Sequence, residues 1–161
     1  MQITLNTRRK GFTLTELMVA LAIVAVVSAI AVPLYTQYSQ RSYITEVQAD
    51  LMNCSQALER WSALNFTYAG TADTNNDGVG DANAGPIAAE VCVAQAVLQD
   101  RYAITINAPG NTYVLTATPD AAGPVAGTGF MTIDNAGNRT WDDDGDGDDT
   151  DAGDDNWIKE D

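Results

Sequence analysis

The sequence predicts an α+β protein: one long N-terminal helix, apolar in its first half and amphipathic in its second, packed on an antiparallel sheet of about four strands. Three observations predict it. Phe12 to Tyr35 is a run of 24 residues with one charge, Glu16. Apolar residues then recur at three- and four-residue steps or their sum, through Ile44, Val47, Leu51, Leu58 and Trp61, with Cys54 on the same stripe. The later part of the chain alternates apolar and polar residues in short runs broken by Gly, Pro and Asn.

The helix is predicted from about Thr13 to Leu64. At ~1.5 Å rise per residue, roughly 20 helical residues cross the hydrocarbon core of a bilayer. The apolar run is long enough, and Arg8-Arg9-Lys10 stand directly before it. Basic flanks stay cytoplasmic, which leaves the rest of the chain outside. A cleaved secretory signal explains this start, but no small-residue cleavage site precedes the continuing helical pattern. A plain membrane anchor leaves Glu16 unexplained, because a carboxylate in an apolar helix is costly and normally has a partner. Pro33 lacks a donor and is expected to bend or locally open the helix.

Beyond the helix, residues 71–86 form a Gly/Asp/Asn loop. Pro86 to Asp100 reads as a second short helix, with Ile87, Val91, Ala94 and Leu98 on one face. Four strands follow, at Tyr102–Asn107, Thr112–Thr118, Gly129–Asp134 and Asn138–Trp141. Pro109-Gly110-Asn111 and Asn135-Ala136-Gly137 supply turns between them.

Composition narrows function. The 161 residues suit one globular domain plus an extra long element. Twenty-two acidic residues against eight basic ones give a net charge of −14, and histidine is absent. A polyanion is repelled by such a chain, which argues against nucleic acid as a partner. Imidazole acid–base and metal chemistry is also excluded. The sequence shows no obvious apolar cleft or accompanying nucleophile for the Asp-rich loops, which argues against a glycosidase, and no enzyme activity is expected.

Two acidic stretches, 73–81 and 142–155, carry metal-ligand spacing. In the first, Asp73, Asn75, Asp77 and Asp81 hold positions 1, 3, 5 and 9 of a calcium loop. Gly78 stands at the sharp turn and Val79 offers its carbonyl at 7. Position 12 is Ala84, so the usual closing glutamate is missing. In the second, Asp142, Asp144 and Asp146 repeat the spacing, with Gly147 next and Asp148 after it. One or two Ca²⁺ sites are therefore expected, against the alternative of solvated acid.

The N-terminal residues resemble a known family. Gly11-Phe12-Thr13-Leu14-Thr15-Glu16-Leu17, with the spacing onward to Ala31-Val32-Pro33-Leu34-Tyr35, is similar to the processing motif of type IV prepilins. Glu59-Arg60-Trp61, Asn65-Phe66-Thr67-Tyr68 and the Met131–Trp141 hairpin resemble type IVa, PilE-type members, major or minor. The resemblance implies a leader at 1–11, cut between Gly11 and Phe12 by a prepilin peptidase that also methylates the new amine. It implies a membrane and filament-core helix at 12–35 and a periplasmic, later extracellular, pilin domain at 36–161. It assigns Glu16 and Pro33 to assembly: the Glu16 carboxylate would meet a neighbour's N-terminal amine in a dry core and set the register. Partners would be other pilin subunits, the peptidase and, before assembly, the inner membrane. A type II secretion pseudopilin shares these features, and a DNA-uptake or adhesive pilin is the alternative of another class. Many pilins close a C-terminal loop with a disulfide, but no cysteine follows Cys92. In an exported chain, Cys54 and Cys92 are instead expected to staple the long helix to the short one, the alternative being two reduced core thiols.

Overall fold

A computed structural model describes residues 11–142 together with Gly145, Gly147 and Trp157. The chain divides into two compact units, one ending at Ser39 and the other beginning at Gln40. Helix α1, Leu14–Asn65, contributes to both.

In the first unit every residue from Gly11 to Tyr38 is exposed. It holds an 18-residue stretch of mean hydropathy 2.8, long and apolar enough to cross a membrane. Helix α1 runs unbroken through Pro33. Pro33 withholds one donor from the carbonyl four residues earlier, and the Thr36 hydroxyl donates to the Pro33 carbonyl at 2.8 Å.

In the second unit the periodicity becomes packing. Val47, Leu51, Cys54, Ala57 and Leu58 of α1 are buried. Val47, Leu51, Cys54 and Leu58 share one core with Ile104, Ile106, Leu115, Met131, Ile133 and Trp141 of the sheet. The Ser55 and Tyr113 hydroxyls hydrogen-bond at 2.7 Å across the same contact. The helix ends where Phe66 turns to φ 59° and its N–H donates to the Ser62 carbonyl at 2.7 Å.

The sheet has five antiparallel strands in sequence order: β1 Ala84–Pro86, β2 Tyr102–Asn107, β3 Val114–Pro119, β4 Met131–Asp134 and β5 Arg139–Trp141. The sequence predicts about four, and β1 is the one it lacks. Its Ala-Gly-Pro has no β-branched residue to mark it, and pairing with β2, Gly85 opposite Ile106, creates it. The second helix is also shorter than expected. Helix α2 is only Gln95–Leu98, because Pro86 belongs to β1 and Ile87 bridges to Ala72. Tertiary pairing overrides a pattern that is helical by period alone.

Segment 86–101 is tied to successive turns of α1. Cys54 and Cys92 form a disulfide with Cα atoms 5.2 Å apart. One turn earlier, the buried Asp50 accepts the Ala96 N–H at 2.7 Å. One turn earlier again, Glu46 pairs with Arg101, whose guanidinium lies 4.4 Å from the centre of the Tyr43 ring. Since the cross-link joins positions 38 apart, replacing both cysteines with serine is expected to lower unfolding free energy by about 2–4 kcal/mol. A denaturant midpoint unchanged by the double replacement would contradict this.

Asp50 makes a second prediction. Burial, above all, pushes its carboxyl above the usual range, opposed first by the Ala96 N–H; Glu46 adds to the rise, while the Gln95 N–H and Arg101 oppose it. With the folded value raised, the native state holds the proton more tightly than the unfolded chain. Stability from this group therefore falls as pH climbs from the unfolded value of 3.8 through the folded one. Asp50→Asn keeps an acceptor for Ala96 and should melt at or above wild type at pH 7, with a flatter pH dependence in mild acid. A variant several degrees less stable at pH 7 would contradict that reading.

Candidate functional site

The start of α1 is a reciprocal cap. The Thr13 N–H donates to Glu16 Oε2 at 2.9 Å, and the Glu16 N–H donates to Thr13 Oγ1 at 3.2 Å. The Thr13 hydroxyl also donates to Glu16 Oε2 at 2.9 Å. This is a capping box, in which a Thr and a Glu three residues on satisfy each other's orphan N–H groups. Glu16 thus has a local role that the sequence reading does not assign. The Thr13-to-Glu16 spacing was the signal for it. The side chain stays exposed, on the apolar surface of the first unit.

Gly11 and Phe12 lie just before this cap, and Phe12 is 91% exposed. A Cβ added at Gly11 meets nothing within 4 Å, so the fold of this chain does not require glycine there. A need for glycine at this position must come from something that handles the chain, such as a peptidase subsite.

The first acidic loop closes on its own hydrogen bonds. Asp73 is buried and accepts the N–H groups of Asp77 at 3.2 Å and Gly78 at 2.7 Å. Asp77 accepts from the Val79 N–H at 2.9 Å and the Asn75 amide at 3.2 Å. Asp81 accepts both the N–H and the hydroxyl of Thr74, and that backbone bond, first of all, holds its carboxyl below the usual range. Gly80 lies so close to the Gly70 carbonyl that a Cβ would fall 1.9 Å from the oxygen. The donors are hard oxygens suited to Ca²⁺, but among the described residues no three acidic side chains converge to hold an ion.

Of the second loop, Asp142 is described: it is buried and accepts the N–H groups of Gly145 at 2.8 Å and Gly147 at 3.2 Å. Asp144, Asp146 and Asp148 lie outside the described residues.

Charge on the second unit is lopsided. From residue 40 onward the chain has 5 cationic and 21 acidic side chains. Among the cations, Arg101 is engaged with Glu46, and Arg139 stands 5.1 Å from the centre of the Trp157 ring.

Two family models match these segments. Residues 6–32 match the prokaryotic N-terminal methylation motif. Residues 33–128 match the model described as type IV minor pilin ComP, DNA uptake sequence receptor. The chain belongs to the type IV pilins. Relatives agree: type IV major fimbrial protein FimA of Dichelobacter nodosus is 32% identical over 107 residues, 64% of this chain and 68% of that protein. Fimbrial protein EcpB of Eikenella corrodens is 39% identical over 72 residues, 45% of this chain and 44% of its own length. Type IV major pilin protein PilE1 of Neisseria gonorrhoeae is 48% identical over 42 residues, 26% of each chain. The match thus spans less than half of EcpB and about a quarter of PilE1. No solved structure matches this pilin significantly. Membership carries the coarse conclusions: a chain of a family of structural pilus proteins, with a methylation motif and an apolar helix that suits a membrane-anchored precursor.

Proposed function

We propose that this pilin is a filament-building subunit, cut after Gly11, methylated on Phe12 and polymerised through α1. Before assembly its apolar segment holds it in the inner membrane with the domain on the periplasmic side. The observation that carries the reading is the contrast along α1. One half has an 18-residue apolar stretch with nothing buried, and the other half fills a core. So large an apolar surface needs cover, and lipid first and neighbouring helices later supply it. In such a dry bundle Glu16 needs a cationic partner, and the free amine created at Phe12 of a neighbour is the nearest chemistry. Filaments sheared from cells should contain the chain in amounts comparable with other subunits. Recovery only from a secretion-dependent fraction would favour the pseudopilin.

The likeness of residues 33–128 to a DNA-uptake receptor model favours a second reading, DNA capture. Electrostatics opposes it, since DNA binding is driven by cations neutralising phosphates. The full chain in zwitterionic nanodiscs should not retard duplex DNA even at low salt. A salt-sensitive shift would move the assignment to a DNA receptor.

Calcium at the first loop is a separate proposal, supported by the donor order Asp73, Asn75, Asp77, Val79 and Asp81. It predicts a rise in melting temperature with Ca²⁺ beyond that in NaCl of equal ionic strength, abolished by Asp77→Ala. Equal responses would leave the loop as hydrogen-bonded acid.

A further inference from the structure

Beside the first acidic loop lies a groove of about 410 Å³, walled by that loop, the turn before α2, α2 itself and β2. Its apolar side is open to solvent: Val93 is 57% exposed, Val97 38% and Leu98 63%. Its polar lip is acidic, with Asp73 and Asp77, and among the described residues no Lys or Arg lines it.

The walls are fixed from several directions. The Asp73 N–H donates to the Pro86 carbonyl at 2.8 Å, and the Gly80 N–H donates to Glu90 Oε1 at 2.8 Å, joining loop to turn. Cys92 anchors the turn to α1 through the disulfide, and Asp50 holds the first turn of α2. A rigid concave apolar surface needs little reorganisation to bind, and exposed apolar residues gathered at a polar rim mark contact sites.

Charge selects the occupant. An acidic peptide would be repelled by Asp77 and by the acidic unit around it. We propose that this groove docks a basic, apolar peptide segment of another protein. Aliphatic side chains rest on Val93, Val97 and Leu98, and a Lys or Arg stands beside the exposed Asp77 carboxylate. Binding is read on the single chain outside a filament, so it holds or fails separately from the function proposed above.

The test is fluorescence anisotropy with the full chain in zwitterionic nanodiscs, in calcium-free buffer, with empty nanodiscs as the blank. The probe is a short labelled peptide alternating leucine and lysine, compared with its leucine-to-serine and lysine-to-glutamate analogues. Only the parent peptide should bind. A Val93→Ser/Leu98→Ser variant should weaken it at least about tenfold, and Asp77→Asn should weaken it and flatten its salt dependence. Both changes fall on exposed positions, so an unchanged thermal melt should accompany them. Equal binding of the serine analogue would reduce the effect to general attraction by an acidic surface and overturn the proposal. So would binding indifferent to both variants, or no binding of the parent peptide at all.

Discussion

Glu16→Ala should give a folded, membrane-inserted pilin that enters filaments at least about a hundredfold less than wild type. Removing one partner of a buried ion pair costs about 3–5 kcal/mol, and about 1.4 kcal/mol is a factor of ten. The capping box complicates the reading, since alanine removes the cap as well as the charge. Glu16→Gln separates the two. Glutamine still accepts the Thr13 N–H, as the capping pattern allows, but it cannot neutralise an amine. If charge pairing governs assembly, Gln and Ala fail alike. If Gln assembles normally, the cap is the role of this residue and the inter-subunit pairing is wrong. Wild-type protein in the same strain controls for loss of the apparatus.

Gly11→Val should leave an uncut precursor in the membrane fraction, heavier than wild type by the leader and unmethylated. Space around Gly11 is open to an added Cβ, so the fold does not itself demand glycine there. Retention of the precursor, with an unchanged melt of the second unit, would locate the effect in recognition by the peptidase. Normal cutting of the variant would contradict the requirement for a small residue beside the scissile bond.

The residues differ in how openly they announce themselves. α1 was legible because two periodicities meet in it, an uninterrupted apolar run and then a stripe at Val47, Leu51, Cys54 and Leu58. Strands β2 to β5 were legible through alternation; β2 buries every second residue from Tyr102 to Ile106. The cystine was legible from chemistry and compartment, and the structure closes it. β1 was not, because Ala84-Gly85-Pro86 owes its conformation to β2 and to the Asp73 N–H on the Pro86 carbonyl. The stretch before α2 misled because Ile87, Val91, Ala94 and Leu98 have helical spacing. A bridge at Ile87 and a disulfide at Cys92 decide otherwise, and Leu98 points to solvent. Asp50 was missed because an acid on a helix is normally solvated. Its one signal is position, three residues after Val47 and four before Cys54. The acidic loops show the limit of spacing: ligand-like order is visible in the sequence, whereas the hydrogen bonds that occupy Asp73 and Asp81 are not.

The account turns on what becomes of the first 11 residues. The most direct measurement is intact and N-terminal peptide mass spectrometry of filaments sheared from cells. The account predicts a chain that begins at Phe12, carries one methyl group on its amine and retains the whole apolar segment through Pro33. A chain beginning farther along, for example after Ser28, would mean that the apolar run is a discarded signal, and it would contradict assembly through α1.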